Sequence, residues 1–462
     1  MRKTPHALAA RCAVVAALLT APIAAAFPAS AAEPAADAPS AAAPDADFDG
    51  DGQADVVTAA PEATVSGAEN AGYVTVVYGS AAGKEVRHQT VSQNTPSADA
   101  YFGRESVARD LDGDGYTDLA VVSDKTVSVH WGSETGLSGE STPLPDSANV
   151  SGFVLAGGDF DGDGNADLVT GDDEGDAGWG GLQIQYGPFD RDAAPARTDH
   201  LDTDRTFAPH SLTAGDVTGD GKDDLVTTHH FEEKAESSQF WAGTADGLST
   251  KSTELPGAAE ATIGDVDNDG HGDVVLRTVP GDIVEDLPDD HGTLEVLYGT
   301  ESGPSTTRTT TIDQETAGVP GVNEAGDRFG HSLSAGDTDG DGYADVAVGI
   351  PGEDFDGMKD AGSTVLLKGG SSGLSGAGAK AYDQDTAGVP GVAEAGDEFG
   401  RAVAVPGGGA GFAAGAPGED TASPDSGAAW LRLGTSGTYA VDPSDLMESP
   451  AAGGGLGGSF AH

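Results

Sequence analysis

The chain of 462 residues has one cysteine, Cys12, and it lies in an N-terminal apolar stretch. No disulfide framework can therefore brace the rest of the chain. Basic residues are scarce: 22 Lys and Arg stand against 77 Asp and Glu, a formal net charge of −55. That balance disfavours nucleic acid and anionic membranes, since both need Lys and Arg to replace released counterions. It favours cations. Aromatic residues are only 6 % of the chain. Beyond the N-terminal segment no apolar run is long enough to cross a bilayer. Glycine is abundant, at 70 residues, but without a G-X-Y period, so collagen is excluded. Short Val/Leu/Ile runs recur throughout, which points to a folded chain.

Arg2, Lys3 and Arg11 give a positive start, and residues 12–26 are almost wholly apolar. That run is too short to span a membrane comfortably. Pro22 and Pro28 interrupt it, and Ala29-Ser30-Ala31 and Ser30-Ala31-Ala32 are small-x-small cleavage patterns. Residues 1–32 therefore read as a secretory signal peptide rather than a membrane anchor. Residues 33–44, rich in Ala and Pro, read as a disordered linker. With no second apolar stretch and no wall-sorting motif, the product is expected to be secreted and extracellular.

A nine-residue pattern, D-x-[D/T]-x-D-G-x-x-D, occurs six times, starting at Asp47, Asp110, Asp159, Asp216, Asp265 and Asp337. Each copy runs into a short β-type segment, such as Val346-Ala347-Val348. A second pattern follows, alternating apolar and polar residues and ending at Gly79, Gly132, Gly187, Gly243, Gly299, Gly369 and Gly434. Period-two alternation means half-buried strands. The unit is a small antiparallel sheet that cannot bury both faces alone. Seven such sheets stacked radially bury their faces against one another and leave only short edges. The expected fold is all-β: one seven-bladed β-propeller of four-stranded antiparallel blades over residues 45–462. The alternative is an open β-solenoid, for which the spacing is long, or a string of independent modules.

The acidic loops read as calcium sites. Carboxylates at positions 1, 3, 5 and 9 of a tight loop converge on one centre, and glycine at position 6 permits the turn. The first set is Asp47, Asp49, Asp51 and Asp55, with the backbone carbonyl of Gln53 at position 7. The second is Asp110, Asp112, Asp114, Tyr116 and Asp118. The third is Asp159, Asp161, Asp163, Asn165 and Asp167. In the fourth, Asp216, Thr218, Asp220, Lys222 and Asp224, a threonine replaces the position-3 carboxylate. The fifth is Asp265, Asp267, Asp269, His271 and Asp273, and the sixth is Asp337, Asp339, Asp341, Tyr343 and Asp345. An oxygen cage suits Ca²⁺, with its roughly 6–8 oxygen ligands, better than Mg²⁺. Zinc is disfavoured without thiols or regularly placed histidines. The exit into a strand and the lack of Glu at position 12 distinguish these loops from an EF-hand. About six Ca²⁺ are expected, one per blade except the last, where Gly407 to Phe412 replaces the acidic loop.

On these residues the chain resembles the FG-GAP repeats of the integrin α-subunit propeller and their bacterial secreted, VCBS-type relatives. Phe-Gly occurs at Phe102-Gly103, Phe329-Gly330 and Phe399-Gly400, and Gly-Ala-Pro at Gly415-Ala416-Pro417. The blades around Asp159, Asp216 and Asp265 lack Phe-Gly. The resemblance implies a seven-bladed propeller with Ca²⁺ in loops on one face and a role in extracellular interaction. The first blade starts at its acidic loop. Its missing strand is expected from residues 457–462, with Phe460 echoing Phe329.

Other chemistry is thin. His229-His230 and the remaining histidines read as isolated surface residues, Asn149-Val150-Ser151 is a weak glycosylation triplet, and no nucleophile elbow or zinc-protease helix is present. The paired segments 313–321 and 383–391 read as structural connectors. The expected function is an extracellular binding or adhesion module, not an enzyme, with structural calcium and an unknown protein or glycan partner; the chain is expected to be a monomer. The alternatives are a carbohydrate-binding propeller and, further off, an enzyme with its site at the central funnel. Trp131, Trp179, Trp241 and Trp430 do not all fall at equivalent positions, which counts against the first alternative.

Overall fold

The computed structural model describes residues 46–79, 87–145, 150–172, 180–355, 357–406, 409, 411–421, 423–435, 437–446 and 453–462. The chain divides into two units, Met1–Ala38 and Pro39–His462. The signal-peptide and linker segments lie outside the described residues, as do Cys12, Asn149 and Trp179.

Among the described residues, 28 strands form seven antiparallel four-stranded sheets. Sequence order equals spatial order in six of them. Blade 2, for example, runs Ser106–Arg109, Asp118–Ser123, Thr126–His130 and Thr142–Pro143 from the inside out. Inner strands of successive blades adjoin around a ring from blade 2 through blade 7 to blade 1. Blade 1 meets blade 2 through His462, whose N–H donates to Ser106 O at 3.1 Å while its carbonyl accepts from Ala108 N. One four-residue α-helix, Pro443–Leu446, is the only one among the described residues. The fold is an all-β, seven-bladed propeller.

Radial stacking changes what alternation means here. Strands expected to be half-buried are buried on both faces in the middle of each blade: every residue of Tyr73–Tyr78 and Asp345–Ile350 is buried. A neighbouring blade covers each face, so the polar members of the alternation must find partners inside. Thr75 does so, with its Oγ1 3.1 Å from Thr90 Oγ1. Only outermost strands such as Arg87–Val91 keep an exposed face.

The ring closes with the C-terminal strand, in a register different from the one the sequence suggests. Ser459–Phe460 pairs with Val56–Ala60, placing Phe460 opposite Thr58. In blade 6 the residue at that level is Leu333, opposite Val348, so Phe460 does not stand where Phe329 does. Leu456-Gly457 takes the Phe-Gly place instead. Leu456 is buried and its N–H donates to Ser426 O at 3.1 Å, as Phe399 N does to Ala361 O. Gly457 N donates to Ala59 O at 3.0 Å, as Gly330 N does to Gly349 O. The position asks for any fully buried apolar side chain followed by a residue at positive φ; Gly457 and Gly330 have φ of 88° and 85°.

A second expectation also fails. His229 is 2 % exposed, on the strand Asp224–Phe231, with Nε2 2.7 Å from Thr227 Oγ1. Burial pushes its pKa down to about 3. It is a neutral core residue, not a surface one.

Candidate metal centres

Five of the six acidic loops join the inner strand of a blade to its second strand, and the first leads directly into the second strand of blade 1. In blade 2 the loop fills the span between Ser106–Arg109 and Asp118–Ser123. All six loops therefore lie on one face of the ring. The position-1 carboxylate folds the loop around itself: Asp47 accepts from Asp51 N at 3.1 Å and Gly52 N at 2.9 Å, and Asp159 and Asp265 repeat the pattern. The position-5 carboxylate accepts from the position-7 N–H, as Asp51 does from Gln53 at 2.9 Å.

The position-9 aspartate is a hub. Asp118 Oδ2 accepts from Leu111 N at 3.0 Å and its Oδ1 from Gly132 N at 2.7 Å. The same two bonds recur at Asp55, Asp167, Asp224 and Asp273, in each case to the position-2 N–H and to the glycine that ends the third strand. That is why the acidic pattern and the glycine-terminated pattern travel together in the sequence. Burial pushes the carboxyl groups of Asp55, Asp118, Asp167, Asp224 and Asp273 up to about 7 against the pull of these N–H donors, and nearby loop carboxylates such as Asp49 and Asp47 add to the rise. A cation within the loop would offset both.

Position 3 supplies the test of fit. Asp49 Oδ1, Asp161 Oδ1 and Asp267 Oδ1 are buried oxygens without a hydrogen-bond partner, and so is Thr218 Oγ1 at the same position of the fourth loop. Buried acceptors are rarely left unpaired. Acidic ligand atoms cluster within 4.8 Å of one another in five loops: Asp47, Asp49 and Asp55; Asp110, Asp112 and Asp118; Asp159, Asp161 and Asp167; Asp265, Asp267 and Asp269; Asp337, Asp339 and Asp345. The fourth loop is not among them. The loop oxygens fit a metal cation. In blade 7 the acidic loop is missing and the connection is four residues shorter, since Val403 pairs with Ala414 where Leu333 pairs with Val348. Gly407, Gly408 and Ala410 lie outside the described residues.

Two features escaped the sequence reading. First, basic side chains attend the loops. Arg87 pairs with Asp49, Arg191 with Asp112 at 2.6 Å, Arg197 with Asp161 at 3.3 Å, and Arg308 with Asp267. Each guanidinium also lies over an aromatic ring just before the strand-ending glycine: Tyr78 at 3.5 Å, Trp131 at 4.9 Å, Tyr186 at 3.6 Å and Tyr298 at 3.9 Å. The recurring aromatic-Gly pair was the available signal. Second, loops of adjacent blades are tied together. Asp47 O accepts from Thr117 N at 3.0 Å, Asp159 O from Asp223 N at 2.9 Å, Asp216 O from Gly272 N at 2.8 Å and Asp265 O from Ala344 N at 2.9 Å. In these four the donor is the backbone of position 8, where the side chain varies, so no residue pattern marks it; Asp337 O accepts instead from Gly409 N of blade 7 at 3.3 Å.

The described tryptophans do not form an exposed set: Trp131, Trp241 and Trp430 are all buried.

An FG-GAP-like repeat matches residues 110–170, and an FG-GAP repeat matches 38–77 and 329–367. "Integrin alpha pat-2" of Caenorhabditis elegans is 26 % identical over 228 residues, covering 44 % of this chain and 18 % of its own length. "Integrin alpha-PS2" of Drosophila melanogaster is 26 % identical over 266 residues, covering 55 % of this chain and 16 % of its own. The chain thus spans less than a fifth of the integrin relatives it matches. A solved chain of the Photorhabdus luminescens Tc holotoxin pore covers 72 % of this chain at 16 % identity, with a TM-score of 0.35, a likeness too loose to bear on fold or function. The matched repeats, the distant integrin α relatives and the seven four-stranded blades together support an integrin-α-like FG-GAP propeller.

Proposed function

We propose that the protein is a secreted, extracellular binding or adhesion module in which calcium serves as scaffold. The observation that carries the calcium reading is the buried, unpartnered position-3 oxygen of Asp49, Asp161 and Asp267. Positions 1, 3, 5 and 9 of each loop would hold the ion with the position-7 carbonyl. Four carboxylates and a carbonyl nearly fill a Ca²⁺ shell, whereas a catalytic metal keeps an open position. The bound ion would supply charge neutralisation and rigidity, in a chain whose only cysteine is Cys12.

The binding reading rests on the integrin α relatives and on the architecture. A rigid ring presents loops on both faces, the usual place for recognition. The net charge of −55 favours a basic or cation-bridged partner, protein or glycan, on the outer surface. No described helix is long and apolar enough to cross a membrane. The test is to probe protein and glycan arrays with the mature protein in calcium, beside an EDTA control. Saturable, calcium-dependent retention supports the module. Robust turnover of a substrate, lost on changing funnel residues while the fold survives, would show an enzyme instead.

A further inference from the structure

The inner strands of blades 2 to 6 run toward their acidic loops, and those of blades 1 and 7 keep the same antiparallel sense against their second strands, so the residues that begin these strands stand at the opposite mouth of the central channel. Four of the seven blades bring a basic or imidazole side chain to one level there. Arg104, His210, His331 and Arg401 each precede by two residues the ladder positions Ser106, Leu212, Leu333 and Val403, which face Val121, Thr227, Val348 and Ala414. Arg277 and Arg328 join them on the wall of a channel cavity of about 770 Å³. With only 22 Lys and Arg in the chain, four guanidiniums around one opening is a marked concentration.

Their charge is only partly answered. Arg277 pairs with Asp290 at 2.8 Å, while Arg328 and Arg401 share Glu398 at 3.2 and 3.1 Å. Three guanidiniums thus meet two carboxylates. Arg104 makes no ion pair among the described residues; its guanidinium lies over the ring of Phe153 at 5.2 Å. A guanidinium carries five N–H donors, so each retains several. Burial, with the fields of Arg401, Arg328 and Arg277, holds the His331 imidazole neutral, its pKa lowered to about 3. It therefore keeps a donor beside them without adding repulsion. One residue further in, Glu105 and Glu260 occupy matching positions on blades 2 and 5. Burial pushes Glu105 up to about 8 and Glu260 to about 7, which weakens the negative charge beneath the ring. The far end of the same channel reaches Asp55 and Asp337 of the acidic loops, with Arg109 beside them.

We propose that this mouth is a binding site for a small oxyanion ligand, one presenting carboxylate or sulfate groups to Arg104, Arg277, Arg328 and Arg401. Forked guanidiniums match both groups through paired N–H···O bonds, and the volume suits a small molecule. The site stands at the mouth opposite the acidic loops.

Isothermal titration calorimetry tests it. Sodium sulfate and sodium glutarate are titrated separately into the mature protein at constant ionic strength and fixed calcium, with sodium chloride as control. Saturable one-to-one binding of either probe is expected, and the probe that binds tells the sulfate arm from the carboxylate arm. Arg104→Gln and Arg401→Gln should each weaken it at least tenfold with the melting temperature little changed, because Arg104 has no ion pair to lose and Glu398 keeps Arg328. Lys359→Gln, at an exposed ion pair outside the channel, should leave it unaltered. Absence of saturable binding by both probes, or binding indifferent to Arg104→Gln and Arg401→Gln, overturns the proposal.

Discussion

The ammonium nitrogen of Lys368 lies 2.6 Å from Oδ2 of Asp345, the fully buried position-9 carboxylate of the sixth loop. It also lies 2.7 Å from Asp339 Oδ2 and 3.4 Å from Thr338 Oγ1. A side chain of the protein thus reaches the oxygens that the other loops leave facing one another. Arginine attends the first, second, third and fifth loops from further out, against position 3.

Lys368→Met should lower stability in EDTA by about 1–3 kcal/mol, the cost of taking the charged partner from a buried carboxylate whose Oδ2 then keeps only the Thr338 hydroxyl. In millimolar calcium the loss should largely vanish, because an ion can take the vacated place. Scanning calorimetry with and without EDTA separates the two conditions. An equal loss in both would mean that the ammonium does not stand where the ion goes.

Calcium removal should destabilise the unsubstituted protein. At a dissociation constant of roughly 10⁻⁴–10⁻³ M, about 1 mM Ca²⁺ contributes roughly 0.4–1.4 kcal/mol per site. Six sites together reach roughly 2–8 kcal/mol, comparable with the stability of a whole domain. A melting temperature indifferent to EDTA would contradict the scaffold role.

The fourth loop should be the weakest calcium site. Thr218 stands at position 3 with its hydroxyl oxygen buried and unpaired. Thr218→Asp adds a carboxylate where the other loops have one and should tighten that site about tenfold, near 1.4 kcal/mol. Calorimetric titration of the variant beside the parent protein reads the change; an unaltered isotherm refutes the ligand role of position 3.

Leu456→Ala should cost about 2–5 kcal/mol, the usual range for a fully buried leucine. Deleting residues 456–462 should be worse, because it strips the inner strand from Val56–Ala60 and exposes an unpaired edge. Urea unfolding measures both. Full stability in the truncated protein would mean that Ser459–Phe460 does not close the ring.

Sequence alone determined the repeat and therefore the fold. Six copies of one acidic nonapeptide and seven glycine-terminated strands leave radial stacking as the way to bury both faces of so many small sheets. The loop residues were legible because a cation cage needs acidic oxygens at fixed spacing, and spacing is a property of the chain. What only the tertiary structure decided depends on contacts between residues far apart in sequence. Leu456 rather than Phe460 fills the Phe-Gly place because hydrogen bonds to Ala59 and Ser426 set the register, and a buried leucine satisfies that pocket without the motif. Asp118 binds Gly132 through a backbone N–H, and glycine is required there because a Cβ would collide with Thr117 O. Four of the links between loops around the ring use the backbone of position 8, invisible to a pattern of side chains. The basic channel mouth is assembled from single residues on several blades. Strand direction and ring closure bring them to one level, so their convergence exists only once the ring has formed.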